Sequence, residues 1–434
     1  MSWISQIFFL SVLVICVYFL SKRIIRIRKN ILMGKDLNRS DNFSIRWKTM
    51  LMVAFGQAKM FKKPIPAFLH LLIYVGFLVI NIEVLEFVID GLVGTHRIFA
   101  PFLGNWYTVA LNFFEFMAVA VLFSCVIFLI RRNVLKVKRF VQPEMIGWPA
   151  LDANLILIIE IALMMAILKM NAADQVLQSR GVEGYTSTGK FFFSSFLIPL
   201  FSQFETSLLI LVERGSWWFH IIGILGFAVY VTHSKHLHIF LAFPNTYYSN
   251  LFPKGKIKNM DDVTNEVEIM LGMATVDSTN PPAEISRFGA KDATDLCWKS
   301  LMESYTCTEC GRCTSECPAS LTGKLLSPRK IMMDTRDRIE EIGNGQGENK
   351  SLLGDYITKE EINACTSCNA CTEACPVNID PLSIILEMRR YVSMEESGSP
   401  ASWNSMFSNI ETNFAPWKFA PTDRFNWKED LNKK

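Results

Sequence analysis

Five apolar runs, residues 4–20, 66–89, 106–130, 149–168 and 217–243, are each long enough to cross a hydrocarbon core of about 30 Å. A bilayer interior offers the backbone no hydrogen-bonding partner, so such runs must fold as helices that satisfy their own amides. All lie before residue 245 in a 434-residue chain that is 50% hydrophobic and only 20% charged, a balance too apolar for one soluble domain. The first run has the length of a signal-peptide core. It is followed by Lys22, Arg23, Arg26, Arg28 and Lys29 with no small-residue cleavage site, and is read as a retained anchor.

Basic residues crowd between the first and second runs (Lys22 to Lys63), between the third and fourth (Arg131, Arg132, Lys136, Lys138, Arg139) and after the fifth (Lys235, Lys254, Lys256, Lys258). The other loops carry few, which predicts an N-terminus outside the inner (cytoplasmic) membrane and a C-terminal half in the cytoplasm. A sixth apolar stretch, 191–212, would reverse that orientation if it spanned. Pro199, Gln203 and Glu205 interrupt it, and it is read as an outer interfacial or re-entrant segment.

Eight of the eleven cysteines form two copies of one pattern, Cys307-x2-Cys310-x2-Cys313-x3-Cys317-Pro318 and Cys365-x2-Cys368-x2-Cys371-x3-Cys375-Pro376. This is the spacing that wraps four-iron clusters, three thiolates of each run capping one cubane while the fourth reaches the other. Crossed ligation follows: Cys307, Cys310, Cys313 and Cys375 around one [4Fe–4S] cluster, and Cys365, Cys368, Cys371 and Cys317 around the second. Disulfide frameworks belong to small secreted domains, and zinc ribbons usually stop at Cys-x-x-Cys pairs, so both rivals fit less well. The 47 residues between Cys317 and Cys365 exceed what a compact ferredoxin needs. They suit intervening helices, with a proline-led start at Ser327-Pro328 and a Gly/Asn-rich loop at 343–347.

Four of the six histidines, His220, His233, His236 and His238, fall on or at the end of the fifth run. On one continuous helix His220 and His238 would stand about 27 Å apart and could not share a metal. His70, about one turn into the second helix, matches His238 in depth. That pair could ligate one b-type haem between facing helices. The alternative is that His233, His236 and His238 are interfacial residues near lipid headgroups. Intramembrane acids suited to proton exchange with a quinone are Glu83 and Glu86 near the outer end of the second run, with Glu115 in the third and Asp152 and Glu160 in the fourth as further candidates; His233 and His236 are alternative quinone contacts.

The stretches Trp217-Trp-Phe-His220 and Ser234-Lys-His-Leu-His238-Ile-Phe-Leu-Ala-Phe-Pro244-Asn resemble the last helix of the nitrate reductase gamma subunit family, a five-helix dihaem cytochrome b. In that family this helix carries one ligand for each haem, positions matched here by His220 and His238. Its second helix carries two, the first matched by His70 in Phe68-Leu-His70-Leu-Leu-Ile. The second falls on Ile80, so the resemblance supports the inner haem and leaves His220 as a ligand without an evident partner, His96 in the next loop being the one candidate. Trp298-Lys-Ser-Leu-Met-Glu-Ser-Tyr-Thr-Cys307 and Cys317-Pro-Ala-Ser-Leu-Thr-Gly323 are similar to the helical dicluster ferredoxin of membrane-bound heterodisulfide-reductase-like iron–sulfur oxidoreductases. That family fuses a gamma-like cytochrome domain to this ferredoxin.

The expected architecture is therefore all-α: a five-helix transmembrane cytochrome b-like bundle (1–244), a linker with Pro281-Pro282 (245–295), a helical dicluster [4Fe–4S] ferredoxin domain (296–395) and an aromatic-rich tail (396–434). Typical members continue into Cys-Cys-Gly domains, which this sequence does not contain. The tail, with Trp403, Phe407, Phe414, Trp417, Phe419, Phe425 and Trp427, either covers its own ferredoxin or docks a cytoplasmic partner subunit, of the Cys-Cys-Gly or flavoprotein kind. The implied function is a quinone-linked oxidoreductase subunit passing electrons between the quinone pool and that partner. Alternatives are a membrane-bound metal-ion reductase or oxidase-assembly iron–sulfur protein, and a redox sensor or scaffold. No Gly-rich phosphate loop follows a strand, so no nucleotide or flavin is expected. The net charge of +3 arises in the basic loops and does not suggest nucleic acid. Cys16 and Cys125 read as small hydrophobes within apolar helices, and Cys297, ten residues before the cluster run, as structural.

Overall fold

The computed structural model describes residues 3–273 and 287–431; Pro281-Pro282 of the expected linker lie outside the described residues. Among the described residues there are helices and turns and no strand. Five helices among them are long and apolar enough to cross a membrane: α1 (Trp3–Ile31), α2 (Pro64–Val93), α3 (Asn105–Leu129), α4 (Trp148–Ser179) and α5 (Thr206–Val231). In the bundle α4 lies against α3 and α5, α2 against α3, and α1 against α2 and α5. Small residues set the closest approaches: a Cβ on Gly223 of α5 would come within 2.7 Å of Leu163 on α4, and one on Gly76 of α2 would collide with Val121 on α3.

The structure differs from the expected spans at two helices. α4 continues past 168 to Ser179 because Asn171, Asp174 and Gln175, which look like a polar exit, are buried. Arg97, 5% exposed, pairs with the first two from the loop after α2, donating to Asp174 Oδ2 at 2.6 Å and to Asn171 at 2.9 Å. The run at 217–243 is not one helix. α5 starts at Thr206 and stops at Val231, and α6 (His238–Tyr247) begins after a turn. Ser234 Oγ accepts the His236 N–H at 3.1 Å, and Asp152 on α4 accepts the Lys235 N–H at 3.2 Å, so this polar turn has partners outside a helix. The expected unbroken helix from His220 to His238 is therefore incorrect. Residues 191–205 form only short turns, Ser194–Leu197 and Ile198–Phe201, and no helix of membrane length.

Beyond α6 the cysteine motifs sit among α7 (Trp298–Thr306), α8 (Arg312–Ser315), α9 (Pro328–Gly343), α10 (Ala370–Ala374) and α11 (Pro381–Met394). Pro328 opens α9 with Ser327 Oγ as its cap, and Gly345 and Gly347 turn the chain after it with φ of 70° and 69°. The core of this half, including Leu301, Ile331, Ile339, Ile385 and Met388, also takes in Ile27 of α1 and Leu237 of the turn before α6.

This half is docked on the end of the bundle that carries the basic loops. Arg23 makes a two-bond pair with Glu340, each contact 2.8 Å, and Asn30 donates to Tyr305 at 2.8 Å. Arg329, fully buried on α9, donates to the Arg139 carbonyl and to Glu144 at 2.6 Å each. Arg329→Met leaves the Glu144 carboxylate without its cation and is expected to cost about 3 kcal/mol or more, read as a lowered melting temperature of the purified protein in detergent.

Candidate metal centres

The two motifs fold alike. In each, the second residue after the first cysteine and the residue after the second adopt left-handed backbone: Glu309 (φ 54°) and Gly311 (70°), then Ser367 (56°) and Asn369 (60°). That conformation curls each loop so that amide N–H groups face sulfur. The Glu309 amide bonds the Cys307 sulfur, the Ser367 N–H donates to Cys365 Sγ at 3.3 Å, and the Ile379 N–H to Cys375 Sγ at 3.3 Å. Helices α8 and α10 pack against each other and bring the two motifs together.

One cavity is lined by Cys307, Cys310 and Cys313 of the first motif and by Cys375 of the second, with Arg329, Met332 and Ile379 around it. Cys317 lies within electrostatic reach of Cys365, as do Cys368 and Cys371. Four thiols from two loops around one cavity fit a cubane, which binds a thiolate at each of its irons. Burial pushes the Cys307 and Cys371 thiols up to about 12 and Cys375 up to about 11, so loading with iron, which needs thiolates, must release protons. The two sites differ in setting. The Cys307 site faces the bundle, whereas Cys368 of the other is exposed.

The imidazoles of His70 and His238 meet at the bundle's docked end, ring centroids 6.3 Å apart. His70 Nδ1 is 3.2 Å from Gln57 Oε1 and His238 Nδ1 is 3.1 Å from the Lys235 carbonyl, so each ring has one nitrogen engaged and Nε2 left for a metal. Two metal–imidazole bonds of about 2 Å each, plus the ring radii, span a similar distance. The spacing leaves room for one metal ion between the two Nε2 atoms, and the residues present would fit an iron held by both imidazoles.

His220 is buried with Nδ1 3.0 Å from the Leu163 carbonyl, and its Nε2 has no partner among the described residues. The residue at the family's second position, Ile80, is packed among Met117, Val121 and Leu163, and an isoleucine supplies no opposing nitrogen. His96 is engaged elsewhere, 3.6 Å from Glu213 and against the Tyr185 ring. His236 packs on Phe227 and His238, and His233 is exposed.

Of the intramembrane acids, Glu86 accepts from Tyr107 at 2.8 Å and from the Phe99 N–H at 3.0 Å. Glu115 accepts from Asn171 and from the backbone of Phe193 and Ser194, and Asp152 from Tyr230 and Lys235. Glu83, 2% exposed, is the more deeply buried of the two without a hydrogen-bond partner among the described residues, the other being the half-buried Glu160. Several contacts around the metal centres carry no sequence signature, notably Lys59, which donates to the Thr372 carbonyl at 3.1 Å and to Asn378 at 2.9 Å, and Lys235, which pairs with Glu309.

Two four-thiol sites in a helical domain seated on membrane-length helices define an iron–sulfur electron-transfer protein. Residues 303–379, which contain all eight motif cysteines, match the 4Fe-4S dicluster domain family. The chain is 26% identical to the probable iron-sulfur-binding oxidoreductase FadF of Bacillus subtilis, over 91% of this chain and 57% of that one. It is 25% identical to the EtfAB:quinone oxidoreductase of Syntrophomonas wolfei, over 91% and 55% respectively. A shorter match, 33% identical over 22% of this chain and 49% of the other, is to one subunit of the ferredoxin/F(420)H(2)-dependent CoB-CoM heterodisulfide reductase of Methanosarcina acetivorans. These relatives bear out the heterodisulfide-reductase-like resemblance read from the sequence. The chain spans about half the length of the first two, and no solved structure matches it.

Proposed function

We propose that the protein is the membrane-embedded part of a quinone-linked oxidoreductase, exchanging electrons between quinone in the bilayer and a soluble cytoplasmic redox partner. The observation that carries this reading is the His70–His238 pair, two rings spaced for one iron at the end of the bundle where the cysteine domain docks. Haem b held there and [4Fe–4S] clusters in the two thiol sites would supply a one-electron relay. Cys307, Cys310, Cys313 and Cys375 hold the site nearer the bundle, and Cys365, Cys368, Cys371 and Cys317 the one nearer solvent. Arg23 near the end of α1 and Lys59, Arg139 and Lys235 in the basic loops touch the cysteine domain, and the bias of positive charge toward the cytoplasm supports a cytoplasmic position for it. The relative named a quinone oxidoreductase supports the choice of membrane substrate.

Glu83, buried and without a partner among the described residues, is the residue proposed to take or give the quinone's proton. Glu86, His233 and His236 are weaker choices, because Glu86 is held by Tyr107 and the two histidines by their local contacts. The reading is tested by a reduced-minus-oxidised spectrum of the purified protein. A b-type haem band reducible by a quinol analogue is expected; its absence would overturn the conduit in favour of a metal-ion reductase or assembly role.

We propose that the partner docks at the exposed site. A cleft of about 620 Å³ lies beside it, lined by Lys324, Lys359, Asn363, Ala364, Pro400 and Trp403. The aromatic tail starts there with α12 (Ala401–Asn413), and Phe407, Phe414, Trp417, Phe419, Phe425 and Trp427 are all exposed. Removing the residues after Ser397 is expected to abolish co-purification of the soluble partner while both iron centres persist. Unchanged co-purification would place the docking surface elsewhere.

A further inference from the structure

Lys235 joins the two kinds of site through its main chain and its side chain. Its carbonyl is 3.1 Å from His238 Nδ1. Its ammonium, on a residue 9% exposed, donates to the Pro149 carbonyl at 2.6 Å and to Glu309, which is 3% exposed and lies between Cys307 and Cys310. The other oxygen of Glu309 accepts from Arg336 on α9 at 2.7 Å, and the Glu309 amide bonds the Cys307 sulfur. Asp152, 3.9 Å from the Lys235 ammonium, and Arg132 complete the charged surroundings.

The loop itself does not call for a glutamate. At the equivalent position of the second motif stands Ser367, with φ of 56° against 54° for Glu309 and the same amide-to-sulfur bond, to Cys365. The Ser367 hydroxyl accepts from Arg389, at 3.3 Å within its own domain. The acid is thus specific to the motif whose buried loop meets Lys235, where a buried charge has a partner.

Resting on the haem reading above, we infer that Lys235 and Glu309 form a charged latch that positions the Cys307 loop against the His238 turn and sets the reduction potential of the metal centre in that loop. Reduction adds negative charge to such a centre, so a nearby cation favours the reduced form and a nearby anion the oxidised form. Lys235 and Glu309 are positioning residues with opposite electrostatic effects, and removing either also loosens a contact that runs from histidine turn to cysteine loop.

The test uses the full-length protein in detergent, with redox titration followed by electron paramagnetic resonance for the clusters and by absorbance for haem. Lys235→Met is expected to shift the centre lost in Cys310→Ala to lower potential, because Arg336 keeps Glu309 ionised. Glu309→Gln is expected to shift it to higher potential, and the double variant to return it toward the unsubstituted value. Ser367→Ala should leave it unmoved. Shifts of the same sign in both single variants, or none in either, would overturn the latch as an electrostatic device, since lost packing alone predicts no opposition of sign. Iron and sulfide content equal to the parent shows that the variants fold. A parent protein without a haem band would instead remove the haem reading and the coupling to His238, while opposed shifts would still uphold the charge pair.

Discussion

Cys375→Ala is expected to abolish the cluster of the first cysteine motif, although Cys375 belongs to the second. The reason is spatial. Cys375 lines the cavity formed by Cys307, Cys310 and Cys313, while Cys317 falls to the other group, near Cys365. Pro318 and Pro376 directly follow these fourth cysteines, and the chain turns away after each. The variants should therefore sort in pairs: Cys375→Ala with Cys310→Ala, and Cys317→Ala with Cys371→Ala. Within a pair the same resonance disappears on reduction, and about half of the iron and acid-labile sulfide is lost. The Cys375 pair should suffer the larger loss of stability, because its site is enclosed by Arg329, Met332 and Ile379 at the docking interface, whereas Cys368 stands exposed at the other. If Cys375→Ala silenced the same signal as Cys368→Ala, ligation would run within each motif and the crossed assignment would fall.

The parts of this architecture that sequence exposed are those whose physics is local. Cysteine spacing is a property of one loop, and apolar runs of membrane length read directly as helices; both kinds of feature reappear in the structure. The expected depth match of His70 and His238 assumed one helix running through 238; that helix stops at Val231, and the two rings meet by way of the turn after it. What escaped was set by partners distant in sequence. Asn171, Asp174 and Gln175 look like the end of a span until Arg97 is seen to reach the first two. The stop at Val231 depends on Asp152, some eighty residues earlier, accepting from the turn. Glu309 is unremarked between two cysteines until Lys235 of the bundle is brought beside it. Glu83 could be named as an intramembrane acid, but only the fold separates it from Glu86 and Glu115, which have partners.

On the proposed haem ligation, loss of the haem band is expected in both His70→Ala and His238→Ala, with His233→Ala unaffected. A haem held by this pair would draw one nitrogen from each ring, so either substitution would remove half of its protein ligation. His233 is exposed and its Nδ1 lies 3.2 Å from the Val229 carbonyl, so its removal touches neither ring of the pair. The orientation of each ring depends on its engaged nitrogen. Gln57, held at a φ of 50° in the loop before α2, accepts from His70, and the Lys235 carbonyl accepts from His238. Gln57→Leu should therefore keep the haem but weaken its retention roughly ten- to hundredfold, measured as haem lost during dilution or competition with apomyoglobin. The Lys235 carbonyl is main chain, so no side-chain replacement at 235 removes that second contact, and Lys235→Met should retain the haem band. A full band in His238→Ala, or its loss in His233→Ala, would move the ligand to another histidine and with it the route between bilayer and cysteine domain.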